Sequence, residues 1–296
     1  MAKVVVTGAS GFLGSHIADA LTQAGHEVVL VDQQHSAYQN DKQEMLMGDI
    51  TDVDFVDKAL MEADYVYHLA ALADLNEAKT KPVDTVAINI GGTVNILEAC
   101  LKHKVKRLLF GSSVYVYSQH GGFYRCSKQA CENYIEEYQN RYGLNFTILR
   151  YGSLYGTRTN DKNGVYRLLK NFMTDNQLTY HGSKEDKREY IHVEDAARLS
   201  VQAMEPNFAN KHLTLTGNDK LSIHELFMMF SEILNKEVKV QYQEDNAANS
   251  GHYSMTPYTF TPKLGKKLVS NEYVDMGQGI IQVVEMLHNE LYSSNH

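Results

Sequence analysis

Cysteine, proline, basic runs and long apolar stretches are all scarce in this chain, and each scarcity excludes something. Three cysteines, Cys100, Cys126 and Cys131, are too few and too irregularly spaced for a disulfide framework or a zinc site. They read as reduced thiols, which points to a cytoplasmic protein. Four prolines leave no evident linker. No stretch approaches the ~20 apolar residues of a spanning helix. The opening MAKVVVTGAS carries one lysine and a short apolar run that stops at glycine, so it reads as neither a signal peptide nor a span. With a net charge of −8 and no basic run, the chain has no electrostatic footprint for nucleic acid. There is no internal repeat. What remains is 296 residues, 22% charged and 43% hydrophobic, enough for one large domain or two joined ones with a sizeable core.

Apolar runs set the rhythm of the first half. KVVVT (3–7), EVVLVD (27–32), EMLMGD (44–49), DYVYHLA (64–70), VKRLLFGSS (105–113) and LNFTILRYG (144–152) read as strands. Between them lie helical patterns at 12–25, 52–61, 82–104 and 124–143, the last stopping at Gly143. Continuous apolar strands alternating with helices predict an α/β fold, a doubly wound, Rossmann-type, mostly parallel sheet. After residue 153 the segments become more polar. Strands are expected near 178–182, 189–193, 211–217 and 237–242, and helices at 164–175, 194–205, 222–235 and 272–292. This divides the chain into a dinucleotide-binding domain, 1–153, and a smaller mixed substrate domain, 154–296. The strand near 211–217 is a candidate to return to the first domain.

TGASGFLG places Gly8, Gly11 and Gly14 directly after the first strand and at the start of a helix. Small residues let the backbone approach a pyrophosphate, and the helix N-terminus offers free N–H groups. The second strand ends at Asp32, followed by Gln33 and Gln34. An acid there suits the ribose hydroxyls of NAD and repels the extra phosphate of NADP. No arginine follows it in sequence to hold that phosphate.

In SSVYVYSQHGGFYRCSK (112–128), Tyr124 and Lys128 are four apart on a predicted helix and share a face. A phenol, with a pKa of about 10, is a poor base at neutral pH. A nearby ammonium favours the phenolate. Such a tyrosine can take the proton of a sugar hydroxyl while the carbon gives hydride to NAD, and a serine at the strand end can hold that hydroxyl.

These motifs together, TGASGFLG, HLAA (68–71), Ser113, and Tyr124 with Lys128, resemble the extended short-chain dehydrogenase/reductases. Within them the chain is similar to the nucleotide-sugar epimerases and dehydratases, the group that includes the UDP-glucose 4-epimerases. GDI (48–50), INIGGTVNILEAC (88–100), LRYGSLYG (149–156) and REYIHVEDAA (188–197) extend the resemblance over nearly the whole chain. It implies that Ser113, Tyr124 and Lys128 are catalytic. Phe12 and Leu13 beside the glycines, Gln33, Asp49, Ile50, Leu69, Ala70, Ala71, Asn89 and Tyr151 are implied cofactor contacts. Ser113, Ser153, Asn163 and Arg188 are implied contacts of a nucleotide-diphosphate sugar, with Arg188 on the pyrophosphate. The resemblance also implies a homodimer paired through helices 88–103 and 124–142, with Ala130, Tyr134, Ile135 and Tyr138 supplying apolar surface.

The departures narrow the reading. Family dehydratases carry an acidic pair directly after the catalytic threonine, where this chain has Val114 and Tyr115. Neither is a general acid for elimination, which argues against a 4,6-dehydratase and against a decarboxylase with a carboxylate there. Only SQHGGF separates Tyr117 from Tyr124, so the sugar pocket lacks a lining loop and is expected to be more open. Ser153 stands where many epimerases have asparagine, and no second nucleotide-gripping arginine is evident at 252–260. His68 reads as a satisfied structural histidine and Cys126 as a packing thiol. No metal-ligand grouping or G-x-S-x-G elbow is present. The leading expectation is an NAD-dependent nucleotide-sugar epimerase acting at C4. Alternatives are a 4-dehydrogenase, a ketosugar reductase, and a non-catalytic NAD-binding sensor.

Overall fold

The structure, a computed structural model, describes residues 1–175, 177–243, 253–260, 280–282 and 284–286. Through residue 260 they belong to one compact unit. The expected helix 272–292 falls mostly outside the described residues; 280–282 and 284–286 are helical.

The first half runs β1 (Lys3–Thr7), α1 (Phe12–Gln23), β2 (Glu27–Asp32), β3 (Gln43–Met47), α2 (Val53–Ala59), β4 (Tyr65–His68), α3 (Leu75–Thr80), α4 (Pro82–Thr85), α5 (Gly92–Lys102), β5 (Arg107–Ser113), α6 (Gly122–Tyr142) and β6 (Phe146–Tyr151). The second runs β7 (Ser153–Tyr155), α7 (Gly164–Thr174), β8 (Gln177–His181), β9 (Lys187–His192), α8 (Val193–Gln202), β10 (Lys211–Leu215), β11 (Lys220–Ser222), α9 (Ile223–Leu234) and β12 (Lys239–Gln243).

Seven strands form one sheet in the order β10-β6-β5-β4-β1-β2-β3. Every neighbouring pair is parallel, which is the Rossmann-type arrangement. Its strands are apolar because both faces are covered. One face buries Val5, Val29, Leu108 and Ile148 with Leu97 and Ile135 of α5 and α6. The other buries Val4, Val6, Leu30 and Leu149 with Ile17 of α1 and Ala196 of α8. Two elements from beyond residue 153, α8 and β10, therefore belong to the large layer, and Lys211–Leu215 is its edge strand beside β6. The rest of the second half builds a three-stranded sheet, β11-β9-β7, and a β12–β8 pair. These enclose a separate aromatic core of Phe172, Tyr180, Phe227 and Phe230.

Sequence periodicity left three local features unseen. Helix α3 is a short turn capped by Asp74, whose carboxylate accepts the Glu77 N–H. The long helix expected at 82–104 is continuous, but Val86–Gly91 at its centre is a π-helix. Tyr115 and Tyr117 lie on a 3₁₀ turn, Val114–Tyr117, that follows β5. Strand hydrogen bonding stops there because the Ser113 hydroxyl accepts the Tyr115 N–H and caps the turn.

Candidate active site

The order in which the chain adds strands reverses between β1 and β4, and a cavity of about 740 Å³ opens outside the carboxyl ends of the strands there. The glycine loop forms one wall. Gly8 has φ +72°, and a Cβ on it would lie 2.7 Å from the Ala70 nitrogen. A Cβ on Gly14 would lie 2.1 Å from the Gly8 oxygen, so α1 can approach β1 only without one. α1 starts at Gly11 with no side-chain cap and no acid in its first turn, which leaves its N–H groups available to an anion. Phe12 and Leu13 line the cavity beside these glycines. Asp32, at the end of β2, is oriented by the Ser10 N–H at 3.0 Å and the Gln34 N–H at 3.1 Å. Gln33, Ile50, Leu69, Ala70 and Ala71 also line this half. A small-residue cradle, an uncapped helix N-terminus and a fixed carboxylate fit the pyrophosphate and ribose of a dinucleotide.

Ser113, Tyr124, Lys128 and Tyr151 face the same cavity. Ser113 ends β5, and its hydroxyl bonds the Tyr124 phenol. Lys128 follows one turn later on α6 and donates from Nζ to the Gly111 carbonyl at 2.7 Å. Its Nζ lies 4.5 Å from the Phe110 ring centroid and 5.9 Å from that of Tyr124. Burial drives both groups toward neutrality. It pushes the phenol up to about 12, opposed by the Ser113 hydrogen bond. It lowers the ammonium to about 8.

Other expected residues take different places. Asn163 lines the cavity and caps α7, accepting the Tyr166 N–H and donating to the Leu154 carbonyl at 2.8 Å. Asp49 stands beside the lining residues Gly48 and Ile50 and accepts from Gln33 at 2.7 Å. Asn89, expected as a cofactor contact, is buried behind the wall. Its amide holds both polar groups of the Leu72 backbone, at 2.7 and 3.2 Å, and the Ser127 hydroxyl at 2.9 Å. It thereby fixes the loop after β4 against α6, and the π segment is what places it there. Ser153 contacts the Tyr253 hydroxyl at 3.3 Å and does not line the cavity. Arg188 also does not line it. Its guanidinium carbon lies 5.8 Å from the Tyr253 ring centroid, with Tyr115, Tyr180 and Tyr190 also near, and its Nε is buried with no hydrogen-bond partner.

Aromatic rings pack beside the short connection. The Tyr115 ring packs at 4.8 Å on Tyr253 and edge-on at 6.5 Å against Tyr124. Gly121 in the short connection has φ +92°, and a Cβ on it would meet Tyr115 at 2.8 Å. Tyr115, two residues past Ser113, thus packs directly against this short connection.

Sequence reading also missed the far rim. Glu77 is gripped by Lys81 at 3.0 Å and, from the segment before α7, by Lys162 at 3.1 Å. Arg158 crosses to α1, pairs with Asp19 at 2.7 Å and lies over the Tyr38 ring. An arginine thus does reach this side of the fold, and Asp19 engages it. Among the described residues no group of three or more His, Cys, Asp or Glu could hold a metal ion, and no helix is long and apolar enough to cross a membrane.

Fold and site together define a Rossmann-type dinucleotide-binding protein with a serine–tyrosine–lysine group at the open end of its sheet. The NAD dependent epimerase/dehydratase family matches residues 4–215, and the chain belongs to it. A Bacillus cytotoxicus UDP-N-acetyl-alpha-D-glucosaminuronate decarboxylase is 28% identical over 80% of this chain and 82% of its own length. The solved UDP-glucose 4-epimerase of Thermotoga maritima, crystallised with UDP-glucose, superposes with a TM-score of 0.79 at 25% identity, covering 98% of this chain and 99% of that one. The UDP-glucuronic acid 4-epimerase of Bacillus cereus, in complex with UDP-glucuronic acid and NAD, gives 0.78 at 26% identity, covering 89% and 95%.

Proposed function

We propose that the protein is an NAD-dependent epimerase of a nucleotide-diphosphate sugar, inverting C4. The observation that carries this is the hydrogen-bonded Ser113–Tyr124 pair with Lys128 beneath it, facing one cavity with the glycine loop and Asp32. NAD, when bound, accepts a hydride from the sugar carbon and returns it. Ser113 holds the reacting hydroxyl against the Tyr124 oxygen. Tyr124 takes that proton and later gives one back, and the Lys128 charge lowers the cost of the phenolate. Val114 and Tyr115 offer no carboxylate beside Ser113, which favours epimerisation over dehydration or decarboxylation, although several relatives are named decarboxylases. The reading includes Arg188 and Asn163 as nucleotide-side contacts, a cytoplasmic location, a substrate region built from β7–β9, α7, α9, β11 and β12, and a homodimer.

Tyr124→Phe is the test. The ring keeps its packing and the proton carrier is gone, so turnover of UDP-glucose, UDP-N-acetylglucosamine or UDP-glucuronate, followed by NMR of the C4 configuration, should fall by ~10²–10⁴. Folding and NAD binding should persist. Turnover within a few-fold of wild type would show that another group moves the proton. Accumulation of reduced cofactor absorbance during turnover would mark a net dehydrogenase instead.

A further inference from the structure

The catalytic face of α6 does not stop at Lys128. Tyr124, Lys128 and Glu132 are spaced by four residues and follow one another along one side of the helix. Glu132 and its partner Arg150 on β6 are nearly sealed from solvent, their side chains 5% and 8% exposed. Arg150 Nε donates to Oε1 at 3.0 Å and Nη2 to Oε2 at 2.6 Å. The Ser112 hydroxyl, next to Ser113, donates to Oε1 at 2.5 Å. One carboxylate therefore ties together α6, β5 and β6, the three elements that carry Ser113, Tyr124, Lys128 and Tyr151. Among the described residues Glu132 and Glu189 are the buried acids, and Glu189 is engaged elsewhere by Tyr258 and Lys220.

Lys128 is a buried ammonium whose nearest partners, the Gly111 carbonyl and the Phe110 ring, carry no full charge. Several other groups face it. From α6 come Tyr124, Cys131 and Glu132; burial keeps the Cys131 thiol protonated. From β4 comes His68, held neutral by burial. From β6 comes Arg150, paired with Glu132. Asn89 and Thr93, which accept from or bond Cys131, are uncharged. Glu132 is the single anion of this set.

We propose that Glu132 is a positioning residue acting through Lys128: fixed by Arg150 and Ser112, its carboxylate keeps the buried ammonium charged, so that Tyr124 works beside a cation across neutral pH. This rests on the reading of Tyr124 and Lys128 as the proton-transfer pair. Without the carboxylate, Arg150 and Lys128 become two buried cations with no anion near them. The guanidinium does not give up its proton, and the amine does. Burial has already brought Lys128 to about 8, so a further fall brings its titration toward neutral pH.

The test is the pH dependence of kcat/KM in four proteins. In Glu132→Gln the alkaline limb should move down by about one unit, with activity at neutral pH reduced about twofold and recovering on mild acidification. In Arg150→Gln, which leaves the carboxylate facing Lys128 alone, the limb should move the other way. The double variant Glu132→Gln/Arg150→Met removes both charges and should return the limb toward wild type. Ser112→Ala removes a hydrogen bond but no charge and should leave the limb in place. NMR titration of isotope-labelled lysine should give the same order for the Lys128 amine without any turnover. A rate loss that is equal at every pH, or a Lys128 titration that is the same in all four, overturns the proposal and leaves the ion pair as a fold element. Near-normal turnover by Tyr124→Phe would instead overturn the proton-transfer reading beneath it.

Discussion

Asp32 is the residue on which the proposed choice of cofactor turns. Its two oxygens already accept the Ser10 and Gln34 N–H groups, so the carboxylate is held in one orientation at the end of β2. A ribose with both hydroxyls free can add hydrogen bonds to it, whereas a 2′-phosphate meets like charge. The arginine that the fold brings to this side, Arg158, is paired with Asp19 and stacked on Tyr38. The protein should therefore bind NAD at least tenfold tighter than NADP, about 1.4 kcal/mol. Asp32→Ala should narrow that gap, mainly by weakening NAD. Calorimetric titration of both cofactors against both proteins decides it, and equal affinity in the wild type would refute the selection.

At the scale of elements, β4 and the helix through Val86–Lys102 are joined by a histidine that cannot charge. His68 ends β4, bonds Thr7 on β1 at 2.7 Å and reaches Thr93 on α5 at 3.0 Å. Burial, and then the Lys128 charge, lower it from 6.5 to about 3. The folded state thus resists a proton that the unfolded chain accepts, so the contribution is full above about 6.5 and is lost as pH falls toward 3. Each unit in that window costs up to about 1.4 kcal/mol. The Tm of the wild type should fall on acidification from 6.5, and His68→Gln, whatever its starting Tm, should show a shallower slope over the same window. Parallel slopes would mean that other groups dominate acid sensitivity.

For the whole molecule, the open question is the surface of α4–α6. The resemblance placed Ala130, Tyr134, Ile135 and Tyr138 on a pairing face. In the fold, Ile135 is buried in the core, and Tyr138 packs partly against it while its hydroxyl bonds Glu98 on α5. Tyr134, Tyr142 and Phe123 on α6, with Val83 on α4 and Val86 at the start of the π segment, remain exposed. This is apolar surface on neighbouring helices that a monomer would leave in water, and a second copy would bury it. Light scattering at micromolar concentration should report twice the 33.4 kDa chain mass, and Tyr134→Glu should shift it toward one. A wild-type monomer at that concentration would count against the pairing.

The sequence alone determined the large sheet and the two ends of the site. Apolar strands with flanking helices encode a doubly wound layer by period. Gly8, Gly11, Gly14 and Asp32 encode one wall of the cavity, because each place depends on backbone shape or strand-end position within a short span. Tyr124 and Lys128 are legible because one turn of helix relates them. Tertiary structure decided what depends on neighbours distant in the chain. It put β10 at the edge of the sheet, since a five-residue strand carries no label for its partner. It gave Asn89, within the π segment, the bonds that brace the Leu72 loop, which helical period does not reveal. It filled the space beside the short connection with Tyr115 and Tyr253, and it joined Glu132 to Arg150 and Ser112. Periodicity records which face of an element is buried; which charges and rings then meet on that face is fixed only when the elements pack.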